Sequence, residues 1–148
     1  MLPPVLSAQD SLAKKVEPSY GSFGFQGSFV SGTGITGGYT RNRFRVRVTY
    51  GLLKLENETD YSYGVDMHYV LAVKPQFLVL IGPSFGGYGT SGGSDKVRLA
   101  FATCVEVPAL GKEINESICV GVALYYPTYY FVSHTLNPTG GIYLIYNF

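Results

Sequence analysis

The chain has 148 residues, a net charge of +1 and only 14% charged residues, against about 25% in soluble domains. That length suits one core or one closed barrel, and the balanced charge offers no general attraction to nucleic acid. With 46% hydrophobic residues and aromatics spread along its length the chain is not disordered, and with no uninterrupted run of about 18 apolar residues it has no membrane-spanning helix.

Residues 1–18 include "MLPPVLSAQDSLAKK", a short apolar stretch that turns polar after Ser7-Ala8-Gln9. This matches the tail of a secretory signal peptide or, alternatively, a disordered leader. Residues 19–148 are read as a single β domain. In its first strand Phe23, Phe25 and Phe29 oppose Ser22, Gly24, Gln26 and Ser28. The Gly-rich "SGTGITGG" then reads as a turn, since it lacks the Lys-Ser/Thr and strand-to-helix setting of a phosphate loop.

Period two is clearest in "RNRFRVRVTYGL", where Phe44, Val46, Val48, Tyr50 and Leu52 alternate with Arg43, Arg45, Arg47, Thr49 and Gly51. Beyond "ENETD", Tyr61, Tyr63, Val65, Met67, Tyr69 and Leu71 alternate with Ser62, Gly64, Asp66, His68, Val70 and Ala72. After "VKPQ", residues 77–87 are apolar on both faces, so their facing stays open. After "GTSGGSD", Val97, Leu99, Phe101, Val105 and Val107 oppose Arg98, Ala100, Ala102, Cys104 and Glu106.

A reversal at "LGKE" leads to Ile118, Val120, Val122, Leu124 and Tyr126, opposite Ser117, Cys119, Gly121, Ala123 and Tyr125. Centring that reversal on Gly111 and Lys112 sets Cys104 directly across from Cys119, within disulfide range in an oxidising compartment. Two free buried thiols are the alternative. "YPT" and "NPTG" read as turns on either side of a seventh strand, "TYYFVSHTLN", whose facing is also open. The chain closes on "GGIYLIYNF", with Ile142, Leu144, Tyr146 and Phe148 on one side and Tyr143, Ile145 and Asn147 on the other.

Eight strands with seven short connections predict an all-β, antiparallel, up-and-down eight-stranded barrel. The face opposite the apolar stripe is mostly Gly, Ala and Ser, which suits a barrel interior just wide enough for side chains. Its charges are expected to pair there, in an interior polar network of Arg43, Arg45, Arg47, Arg98, Asp66, Glu106 and His68. No metal or cofactor is expected, given two histidines and no clustered ligand spacing.

The alternation, the Gly and Tyr richness, the eight spans and the terminal Tyr146-Asn147-Phe148 together resemble the small bacterial outer-membrane β-barrel proteins. That resemblance implies a transmembrane barrel with its apolar face on the lipid bilayer, at home in the bacterial outer membrane. It also implies that Tyr146 and Phe148 are an assembly signal, read by the barrel-assembly machinery. Tyr61, Tyr69, Tyr126, Tyr129 and Phe148 supply aromatic girdles in a chain without Trp.

The expected role is structural or surface-interacting. The alternatives are a soluble secreted barrel holding an apolar ligand and a membrane-embedded lipid-modifying hydrolase. "SHTLNPTGG" is similar to the His-containing C-terminal region of lipid A deacylases, but Leu136 stands where those enzymes carry Ser, and no acidic residue follows His134. No catalytic set is therefore assigned.

Overall fold

The computed structural model describes residues 19–55, 58–74, 76–111, 114 and 116–148, so the expected leader, 1–18, lies outside the described residues. Eight strands follow in chain order: β1 (Ser19–Ser28), β2 (Thr33–Arg41), β3 (Phe44–Leu55), β4 (Glu58–Lys74), β5 (Phe77–Thr90), β6 (Lys96–Leu110), β7 (Ile118–Tyr130) and β8 (Thr135–Asn147). Each is antiparallel to the next, and β8 returns to pair with β1, so the sheet is a closed up-and-down barrel. At this seam Gly21 N donates to Phe148 O at 2.8 Å, and Phe148 N to Gly21 O at 3.0 Å.

The register fixes the shape of the barrel. Starting at Ile145 and stepping from partner to partner, the path runs through Gly24, Thr36, Thr49, Gly64, Gly86, Arg98 and Tyr130, and re-enters β8 at Thr135. One circuit thus slips ten residues along β8. Closing eight strands with that stagger tilts them by about 40° to the barrel axis.

Period two then sorts the side chains. Phe23, Phe44, Val46, Val48, Met67, Phe85, Phe101, Val122, Leu144 and Tyr146 are exposed on the outer wall, while Arg45, Arg47, Asp66, His68, Glu106, Tyr143 and Asn147 are buried within. The same rule settles residues 77–87: Leu78, Leu80 and Ser84 face inward, and Phe77 and Phe85 outward.

Four expectations are corrected. The glycine-rich stretch read as a turn is mostly β2, with only residues 29–32 connecting it to β1. A strand tolerates those glycines because Gly38 lies opposite Arg47, leaving that long side chain room in the interior. "TYYFVSHTLN" is not a strand of its own. It holds the end of β7, the turn at 131–134 and the start of β8, while "YPT" and "NPTG" lie inside strands, with a register shift between Tyr125 and Thr128. Eight is the right number of strands, reached with one missed and one misplaced.

The third correction concerns the cysteines. Cys104 pairs with Ala123 and Cys119 with Pro108, which separates the two by about 13 Å along the strands. That exceeds disulfide reach, and both thiols are free and buried. The reason is the connection from Leu110 to Ile118, which reverses further along than Gly111 and turns Ile114 and Ser117 into the interior. We expect a thiol reagent to find both cysteines unreactive in the folded protein and to titrate two free thiols in denaturant. A disulfide would leave none.

Fourth, Arg43 does not face the interior. It sits exposed in the two-residue β2–β3 turn, where Asn42 takes the left-handed conformation at φ 56°, and its guanidinium reaches Tyr69 OH at 3.4 Å. Arg41 pairs with Phe44 across this turn, so the strand face begins at Phe44 rather than at Arg43.

Candidate functional site

The interior is built from two ion pairs set between aromatic rings. Arg45 of β3 crosses to β6, where Nη1 donates to Glu106 Oε1 at 2.5 Å; its Nε donates to Thr40 Oγ1 at 2.8 Å and its Nη2 to Tyr20 OH at 2.6 Å. Arg47 pairs with its cross-strand neighbour Asp66, both Nε and Nη2 donating to Oδ2 at 3.1 and 3.0 Å. The Arg47 guanidinium lies 4.0 Å above the centre of the Tyr143 ring. A planar, always-charged group suits this place, since it forks to a carboxylate and stacks on an aromatic face at once.

All four charged side chains are at most 1% exposed. Two cations and two anions cancel, so the interior takes charge out of water only in paired, hydrogen-bonded form. Of the seven residues expected in the network, five are brought together inside: Arg45, Arg47, Asp66, His68 and Glu106. Arg98 faces inward but sits half-buried at the end of the barrel opposite the chain termini, and Arg43 is outside.

His68 lies beside Asp66 on β4, with Nε2 3.4 Å from Ser84 Oγ and 4.0 Å from Cys104 Sγ. The residue types are those of a hydrolase, but Asp66, His68 and Ser84 are all buried in the packed interior, out of a substrate's reach. His134 is in the exposed β7–β8 turn, its Nδ1 2.6 Å from Tyr129 OH. Among the described residues no three His, Cys, Asp or Glu side chains are grouped to hold a metal ion.

Both ends of the barrel are filled by connections that fold inward. At the end away from the termini, the β1–β2 turn crosses the interior and buries Val30 and Ser31 completely. Gln26 Nε2 donates to Ser31 Oγ at 2.6 Å, Ser31 Oγ lies 2.9 Å from Tyr125 OH, and Thr33 N donates to Ser62 Oγ at 3.0 Å. The turn seats on two glycines of the facing wall: a Cβ at Gly64 would overlap Ser31 O, and one at Gly86 would overlap Val30 O.

Only glycine permits that approach, so Gly64→Val is expected to displace the turn. It should cost about 1–3 kcal/mol by overpacking, read as a lower midpoint in urea unfolding. At the terminal end Ile114 and Ser117 turn inward, with Asn147 Nδ2 donating to Ile114 O at 2.7 Å.

Tyr20, Thr40, Gln26, Tyr125 and Tyr143 complete the network and were not read as members of it from the sequence. The alternation itself carried the signal, since it places Tyr125 and Tyr143 on the inner face. The inward turns left no such trace. Comparison of the chain with protein-family models, with curated proteins and with solved structures gives no match.

Proposed function

We propose that this chain is a small integral β-barrel protein of the bacterial outer membrane, with a structural or surface-interaction role and an interior filled by its own side chains. The observation that carries the reading is the inverted distribution of polarity. Val46, Val48, Val105, Val122, Leu124 and Ile142 are all exposed on the outer wall, while the two ion pairs are buried inside it. A barrel standing in water needs the opposite arrangement; a barrel in lipid needs this one.

Aromatic residues toward both ends of the wall support the reading. Phe44 and Tyr69 meet edge to face at 5.4 Å, with Tyr146 and Phe148 stacked at 6.1 Å, toward the terminal end. Tyr129 and Phe131 meet at 5.0 Å toward the other. Rings at these levels suit the interface between hydrocarbon and headgroups. Tyr146 and Phe148 are half or more exposed, so the side chains proposed as the barrel-assembly signal are on display. The soluble alternative would place an apolar ligand where Arg45, Arg47, Asp66 and Glu106 now lie.

The test is gel mobility of detergent-folded protein with and without boiling, beside solubility without detergent. We expect a heat-dependent shift and a requirement for detergent. A soluble monomer with no shift would overturn the reading.

A further inference from the structure

The end opposite the termini is not flush. β1 and β2 are the shortest strands, at 10 and 9 residues, and their connecting turn folds inward, while β4, β5 and β6 run to 17, 14 and 15 residues. Where these longer strands project they form an open cavity of about 490 Å³ at the rim, lined by Asp60, Tyr61, Tyr88, Thr90, Ser94 and Lys96 among others. This cup exists whatever medium surrounds the outer wall, so a ligand for it goes beyond the proposed function and does not depend on it.

The register sets out the lining in tiers. Asp60 pairs with Thr90; below them Ser62 pairs with Tyr88 and Tyr88 with Lys96; below these Gly86 pairs with Arg98. Alternation turns each of these side chains to the same inner face. Tyr88 is held rigidly: its hydroxyl donates to Ser28 O and lies 3.2 Å from Thr33 Oγ1, and the Arg98 guanidinium is 5.0 Å from its ring centre. Arg98 is fixed in turn by a hydrogen bond to Phe29 O and by the Tyr130 ring, also at 5.0 Å. The turn and the arginine together hold Tyr88 in its place in the lining.

An immobile tyrosine ring surrounded by a carboxylate, two hydroxyls and an ammonium group is chemistry for a ligand with apolar C–H faces and a girdle of hydroxyls. That describes a pyranose. A cavity of this volume takes one or two rings. Lys96, the cation of the lining, is exposed at the rim directly across from Tyr88, where it would meet an anionic substituent.

We propose that this cup is a binding site for an acidic saccharide of one or two pyranose units, with Tyr88 as the stacking platform, Asp60 and Thr90 contacting hydroxyls and Lys96 the carboxylate. The experiment is a titration of isotope-labelled protein, folded in a zwitterionic detergent without a sugar headgroup, with the disaccharide of galacturonic acid and with its neutral galactose counterpart. We expect saturable shifts of the Gly89, Thr90 and Lys96 amides with the acidic sugar. Affinity should be about tenfold weaker for the neutral one and about tenfold weaker in Lys96→Ala, with a smaller loss in Asp60→Asn.

Both variants should keep the wild-type amide spectrum outside the cup, which separates lost binding from lost folding. Absence of saturable shifts, equal affinity for the two sugars, or wild-type affinity in Lys96→Ala would each overturn the proposal.

Discussion

Replacing Glu106 by glutamine is expected to cost about 3 kcal/mol or more, although the side chain keeps its shape. Arg45 would remain fully buried with its charge uncompensated, and breaking one half of a buried pair is far more damaging than removing both halves. The companion variant carries Arg45→Met and Glu106→Leu together. It should recover most of the loss, falling short only by what Tyr20 OH and Thr40 Oγ1 lose as partners of Arg45. Urea unfolding, followed by the shift between folded and unfolded gel bands, measures both. Equal stability of the Glu106→Gln variant and the wild type would mean that the charge inside the barrel is not isolated from water.

The second large effect is expected at Val48, 53% exposed near the middle of β3. In a membrane barrel Val48→Arg places a guanidinium at mid-depth in hydrocarbon and should destabilise by about 2–4 kcal/mol. On a wall facing water the same change stays within about 0.5 kcal/mol. Phe131→Arg provides the depth control, because Phe131 lies in the β7–β8 turn at the barrel end and should cost at most about 1 kcal/mol under the membrane reading. A flat response across the two positions would argue against lipid around the barrel.

Much of the fold was legible because a strand buried on one face writes its period into the sequence. Phe44 to Leu52, Tyr61 to Leu71 and Ile142 to Phe148 were sorted correctly, inner from outer, and so were the pairing partners Arg45, Arg47, Asp66 and Glu106. β2 was illegible because its outer face offers Ile35 and Tyr39 with Gly37 between them, too sparse an alternation to outweigh four nearby glycines. The prolines misled for a related reason. Pro127 adjoins a register shift and Pro138 lies near the start of β8, places where a strand tolerates a missing donor, yet each reads locally as a turn.

The candidate site was half legible. Alternation says which side chains point inward, but not how far round the barrel each one reaches. The Arg45–Glu106 contact joins β3 to β6 through the interior and depends on a stagger that no single strand encodes. The inward turns at Val30 and Ile114 were hidden more completely. Val30 follows another apolar residue, Phe29, that stays exposed, and Ile114 stands alone among polar neighbours, so burial depends on what stands opposite: Gly64 and Gly86 for the first turn, Asn147 for the second.

The β1–β8 seam bears on how the molecule is made. Every other strand pair joins neighbours in sequence, but Gly21 must find Phe148. The six hairpin contacts from β2 to β8 can form while β1 still shows an unpaired flank, and until the circle is complete both ends of the growing sheet are adhesive templates for other chains. Local pairing is quick and this last union is slow, because it alone spans nearly the whole described chain. The vulnerable species is therefore an almost finished sheet lacking only its final join, and that is the form an escort during biogenesis would have to shield.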